Sequence, residues 1–129
     1  MAQVKIYGLK ESIKGRQEFF SQVIHQTIVK TLLLPKEKRF HRYILLERED
    51  FIFPDDKTDN YMIIEILMMS GRKSETKKQL IKALFDNIER QLSIAKNDIE
   101  ICIIESDASN WGFRGMSGDE IKLNYPVSV

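Results

Sequence analysis

The chain has 129 residues, 43% of them apolar and 30% charged, with 20 lysines and arginines against 19 acidic residues. That is one domain's worth of sequence, able to bury roughly 68% of its unfolded surface, and six glycines with three prolines exclude a fibrous or disordered chain. A formal net charge of +1 gives no general attraction to nucleic acid or anionic membrane, a single cysteine suits a reducing compartment, and no apolar run approaches the ~18–20 residues of a membrane span. The expectation is a cytoplasmic globular domain over residues 1–129, with neither nucleic acid nor membrane as a partner.

In chain order, Val4 to Gly8 alternates like a strand and ends at a glycine. Ser12 can cap a helix whose apolar stripe is Phe20, Val23, Ile24, Ile28 and Leu32, at gaps of three and four, and Pro35 stops it after Leu34. Tyr43 to Glu49 reads as a strand, and Pro54 to Asn60 as a polar turn. The pattern then starts again. Tyr61 to Met69 is a strand broken by Gly71, and Ser74 can cap a second helix with the stripe Leu80, Leu84, Ile88 and Leu92. Ile99 to Glu105 is a further strand, Asn110 to Gly118 an irregular or hairpin segment, and Ile121 to Leu123 a short terminal strand.

The halves overlay at a shift of 60 residues, pairing Val4 with Ile64, Ile6 with Ile66, Phe20 with Leu80, Ile24 with Leu84, Ile28 with Ile88, Leu32 with Leu92 and Leu34 with Ile94. This predicts an α+β fold from a duplicated β-α-β unit, repeating roughly over 1–60 and 61–129. Each unit joins parallel strands, giving a four-stranded mixed sheet with two helices on one face. Helices on one face leave the other bare. Yet both sets of side chains in the third strand are apolar, interrupted by Glu65, and in the fourth Ile99, Ile101 and Ile103 oppose Cys102 and Ile104. An apolar face of that size predicts assembly of the chain with copies of itself.

Standard chemical motifs are missing: no phosphate loop, no dinucleotide fingerprint, no HExxH, no paired cysteines for zinc, hence no cofactor or metal is expected. His25 reads as structural, His41 between Arg39 and Arg42 as part of a solvated basic cluster, and Cys102 as a small buried apolar group. Two stretches hold more. Ser70-Gly71-Arg72-Lys73-Ser74 turns from a strand end into a helix start, where Arg72 could present a planar fork to a carboxylate or stand as a surface arginine. Asn110-Trp111-Gly112-Phe113-Arg114-Gly115 could wall a pocket, or cap the core or a subunit contact.

Three stretches in this order carry a resemblance: Pro35-Lys36-Glu37-Lys38-Arg39-Phe40, Gly71-Arg72 with Glu75, Lys77 and Lys78, and Asn110-Trp111 with Phe113. Over nearly its whole length the chain resembles the tautomerase superfamily, in particular the longer members grouped around malonate semialdehyde decarboxylase. The resemblance implies a tautomerase/MIF-like fold, a homotrimer, and a pocket for a small carboxylate such as a 2-oxo acid. It implies Arg72, Trp111 and Phe113 as substrate-binding residues. It also implies proton transfer by an amino-terminal proline exposed after methionine removal, helped in the decarboxylases by an acid. Here Ala2 occupies the proline's place, Lys38 the acid's, and Ser70 that of a further arginine. If Met1 were removed, Ala2 would offer a primary amine of pKa about 7.7–8.0. The expectation is weak or lost tautomerase or decarboxylase chemistry. The alternatives are a non-catalytic binding or signalling scaffold of the same fold, and a ferredoxin-like RNA-binding module sharing the β-α-β-β-α-β order.

Overall fold

A computed structural model describes residues 2–129; Met1, and with it the state of the amino terminus, lies outside the described residues. Strands β1 (Ala2–Leu9), β2 (His41–Leu46), β3 (Met62–Met69) and β4 (Ile99–Ser106) form one sheet in the order β2-β1-β3-β4. β1 and β2 are parallel, as are β3 and β4, and β1 and β3 run antiparallel at the centre. Helices α1 (Lys10–Ile13), α2 (Gln17–Leu32) and α3 (Ser74–Leu92) complete the two units, and β5 (Gly112–Phe113) and β6 (Met116–Ser117) form a hairpin after β4. Among the described residues no helix is long and apolar enough to cross a membrane.

The 60-residue offset reappears in the elements. β1 and β3 have the same length and the same alternation of buried and half-buried residues. α2 and α3 end at Leu32 and Leu92, each followed by a left-handed residue, Leu33 at φ 57° and Ser93 at φ 56°, and then by buried Leu34 and Ile94. The central register sets Lys5 opposite Glu65, two positions 60 apart, so a pseudo-twofold axis passes between them. The helices meet at an equivalent pair, Asn87 Nδ2–H donating to Thr27 Oγ1 at 2.9 Å.

Side chains of Val4, Ile6, Ile64, Ile66 and Met68 fill the helix side of the sheet together with Phe20, Ile24, Ile28, Leu80, Leu84 and Ile88. All are at most 2% exposed. The opposite face is open. In register it carries Tyr7 beside Ile44 and Ile63, and Gln3 beside Leu67, itself opposite Ile104. Ile104 is 40% exposed. Tyr7 donates to Glu65 at 2.6 Å at the centre of this face.

Several local expectations are corrected. The first helix is broken: Ser12 lies inside α1, where its hydroxyl donates to Asp59 O, and Gly15 at φ 90° separates α1 from α2. Ser74 is the first residue of α3, and the capping position falls to Lys73 without a side-chain bond. β2 begins two residues earlier than Tyr43 and ends at Leu46, Arg48–Asp50 being a 3-10 turn. Cys102 is exposed on the open face, because alternation from buried Ile99 turns it away from the helices. Ile121 to Leu123 is not a strand. Its period-2 pattern continues to the end of the chain, half-buried Ile121, Leu123, Tyr125, Val127 and Val129 alternating with exposed Lys122, Asn124, Pro126 and Ser128, but this segment docks by side chains and not by a backbone ladder.

Candidate functional site

Topology gathers four chain segments at one end of the sheet. Ala2 at the start of β1 pairs with Met68 near the end of β3, and Met69 pairs with Ser106 at the end of β4. Val4 is in register with His41, and its N–H donates to Phe40 O at 2.9 Å. The sheet end therefore collects Ala2, the stretch 38–40 entering β2, the turn after β3 carrying Arg72, and the hairpin after β4 carrying Trp111 and Phe113.

Ala2 is buried, and its methyl belongs to the core. Lys38 is half-buried, its backbone N–H closing a turn onto Pro35 O at 3.0 Å. Arg72 is only 5% exposed. Its Nη1 reaches Met69 O at the long distance of 3.5 Å, and its Nε and Nη2 have no hydrogen-bond partner. Each buried donor left unpaired costs about 1–3 kcal/mol, more when the group is charged. Burial lowers the pKa of Arg72, against the pull of nearby Tyr125 and Glu105, while Glu105 is already held by Lys77 at 2.7 Å. The guanidinium is a buried cation lacking a counter-ion of its own.

The hairpin is pinned beside it. Its turn residues Arg114 and Gly115 have φ of 55° and 75°, the left-handed sign that two-residue hairpin turns require. The Arg114 guanidinium lies 5.7 Å from the Phe113 ring centre, which stabilises a cation at that turn. Trp111 Nε1–H donates to Ser106 O at 3.2 Å. Gly118 N–H donates to Trp111 O at 2.6 Å, and a Cβ on Gly118 would lie 2.5 Å from Ala108 O and 2.8 Å from Met69 Cε. Only glycine lets this segment press against the end of β3. Trp111 and Phe113 line a shallow cavity of about 540 Å³ with Asn110 and Met116, and Arg72 is not among its walls.

The terminal segment was missed as part of the site. Tyr125 is half-buried against the core and close enough to Arg72 and Arg114 for both to pull on its hydroxyl, although burial outweighs them and raises its pKa. The alternation of residues 121–129 is the signal that could have placed it.

At the edge strand, His41 is not a solvated cation. Tyr43 OH donates to Gln17 O at 2.9 Å, and a carbonyl can only accept. Ser21 Oγ must then donate to Tyr43 OH at 2.7 Å, and His41 Nδ1–H to Ser21 Oγ at 2.8 Å. Burial first, then His25 and Arg39, push the His41 pKa down to about 4, with Glu18 pulling the other way. Ser21 is buried and commits its proton to Tyr43, so the pair does not form a nucleophile. His25 is structural, as its position suggests: its Nε2–H holds Lys36 O at 2.7 Å. Arg39 is occupied by a two-pronged bond to Glu18 at 2.9 and 3.2 Å. Among the described residues no three His, Cys, Asp or Glu side chains gather where they could hold one metal ion.

Comparison with known proteins fits this arrangement. A family model described as "tautomerase enzyme" matches residues 38–114, more than half of the chain, from the loop before β2 to the hairpin turn. Two proteins of Bacillus subtilis (strain 168) are similar along most of the chain. "Probable tautomerase YusQ" is 24% identical over 108 residues, 77% of this chain and 85% of that protein. "Probable tautomerase YrdN" is 24% identical over 98 residues, 70% of this chain and 74% of that protein. Among solved structures, malonate semialdehyde decarboxylase superposes with a TM-score of 0.78 at 16% identity, over 88% of this chain and 92% of that one. Fused 4-OT, solved as an asymmetric trimer, gives 0.80 at 15% identity, over 91% and 96%.

Proposed function

The chain belongs to the tautomerase family, and from that membership we propose that it assembles as a homotrimer and holds a small carboxylate, of the 2-oxo acid class, against Arg72. The observation that carries this reading is the unpaired Nε and Nη2 of a guanidinium that is 95% removed from solvent. These two N–H groups lie on one edge of the planar group and point the same way, as the two teeth that a carboxylate meets bidentately. A bound carboxylate offsets both the missing hydrogen bonds and the uncompensated charge. Trp111 and Phe113 line a shallow cavity at the same sheet end, the apolar wall proposed for the rest of the ligand. The apolar open face, with Ile44, Ile63, Leu67 and Ile104, supports the trimer.

Proton transfer between carbon and oxygen is the step this chain is least equipped for. A tautomerase must take a proton from the carbon beside a carbonyl and return it to the oxygen, which needs a base neutral near pH 7. Ala2 supplies an amine only if Met1 is removed, and Lys38, a cation, stands where an acid is expected. The proposed activity is therefore slow keto–enol tautomerisation, with decarboxylase-like chemistry weak or lost. Following the enol of phenylpyruvate by ultraviolet absorbance tests this: the expected result is slow, Arg72-dependent decay that Ala2→Pro accelerates. A rate unchanged by protein, with no gain from Ala2→Pro, overturns the enzymatic part.

The sealing of Arg72 favours a second reading, a non-catalytic scaffold of the same fold. Thermal shift with phenylpyruvate separates the two. At 100 times its dissociation constant a ligand stabilises by about 2.7 kcal/mol, a shift of several degrees. Arg72-dependent stabilisation supports the carboxylate pocket, and none supports the scaffold. Sedimentation at micromolar concentration tests the assembly: three times the chain mass is expected, and a monomer overturns it.

A further inference from the structure

We infer that residues 121–129 act as a lid over Arg72, and that a carboxylate reaches the guanidinium only when this segment lifts. The inference rests on the carboxylate reading for its ligand, though the lid itself is argued from contacts within the chain. The segment leaves the 3-10 turn Gly118–Glu120 and crosses the sheet end to the first turn of α3. At its near end Ile121 N–H donates to Gly118 O at 3.4 Å. At its far end Val129 O accepts from Thr76 Oγ at 2.5 Å and from Lys73 N–H at 3.4 Å. Between these anchors, the backbone of residues 122–128 makes no hydrogen bond to other backbone among the described residues.

What the middle does have is side chains packed around the turn that carries the arginine. Tyr125 packs on the core beside Arg72. Val127 lies against the flanking turn, where a Cβ on Gly71 would come within 3.1 Å of its Cγ1. Gly71 itself is at φ 134°, a conformation that side chains avoid. An arginine 5% exposed with two unpaired donors is what such packing produces: the segment removes water from the guanidinium and offers it no acceptor in return. The closed state therefore carries a penalty that an entering carboxylate relieves. A segment fastened at its ends, without a backbone ladder between them, belongs to the part of a fold that opens at low cost.

The test is the accessibility of Arg72 to phenylglyoxal, an arginine-selective reagent, mapped by mass spectrometry with exposed Arg16 and Arg114 as internal references. In the unaltered chain Arg72 should react far more slowly than the references. Thr76→Val, which removes the side-chain anchor and leaves the core intact, should speed its modification about fivefold, the effect of one hydrogen bond on an opening equilibrium. A chain ending at Glu120 should react faster still, and Thr76→Val keeps the test decisive if that truncation unfolds. Arg72 reacting as fast as Arg16 in the unaltered chain, or equally slowly with and without Thr76→Val, overturns the lid. Phenylpyruvate then separates the two claims: in the Thr76→Val chain it should protect Arg72 from the reagent. Faster modification without protection keeps the lid and removes the carboxylate reading, whereas protection with no effect of Thr76→Val keeps the carboxylate and removes the lid.

Discussion

The two β-α-β units are built to one plan and finish their polar ends differently. In the first, the sheet end is saturated: His41, Ser21, Tyr43 and Gln17 O form a directional chain of hydrogen bonds, and Arg39 is closed off by Glu18. In the second, Lys77 and Glu105 satisfy one another, and Arg72 is left buried with two donors free. The same strand, helix and left-handed cap lead to a satisfied network in one unit and a deficit in the other. That deficit costs stability without structural return, and the carboxylate site proposed for the second unit rests on it.

Four measurements press on that comparison. The largest effect tests the shared plan. Ile24→Ala and Leu84→Ala, equivalent positions with no exposed surface, should each cost about 2–5 kcal/mol in urea unfolding; a near-zero cost at either position would break the equivalence. Next comes the contrast in sign. Arg72→Met should raise stability by about 1–3 kcal/mol by removing a buried unpaired charge, while Ser21→Ala should lower it by a similar amount by interrupting a satisfied chain. Destabilisation by both would mean that Arg72 has structural work of its own.

A pH effect of comparable size should come from the first unit. His41 titrates near 4 in the folded chain and near 6.5 when unfolded, so the unfolded state binds more protons between those values. Stability should hold above pH 6.5, fall by on the order of 3 kcal/mol as pH drops toward 4, and level off below. His41→Asn should flatten that slope, and an unchanged slope would assign it to other groups. The smallest effect lies on the axis: Thr27→Val removes the acceptor of Asn87 and should cost about 1 kcal/mol, read as a shift in urea midpoint.

Much of the architecture was legible in the sequence because it rests on periodicity. Alternation in Val4 to Gly8 and Tyr61 to Met69, and gaps of three and four from Phe20 to Leu32 and from Leu80 to Leu92, are direct consequences of which side of each element is buried. The offset of 60 residues followed from the same residues. What escaped depends on partners distant in sequence. His41 looked like a solvated cation beside two arginines because Ser21, which accepts from its ring, lies 20 positions away. Ser12 looked like a cap because its true acceptor, Asp59 O, is on another loop. Arg72 stood out as a fork for an anion, but nothing local revealed that its donors are unpaired or that Tyr125 comes near it, since the alternation of residues 121–129 says strand and cannot say what the strand-like segment packs against.

A residue on a twofold axis can meet only its own counterpart. A chain made of two identical copies would therefore set lysine against lysine, or glutamate against glutamate, in the middle strands of its sheet. Lys5 and Glu65 occupy that spot as opposites, and Tyr7 takes hold of the acid alone. The halves are for this reason not interchangeable: replacing one by a copy of the other would recreate a like-charge clash at the seam, so the difference between the two units is already written where they are joined.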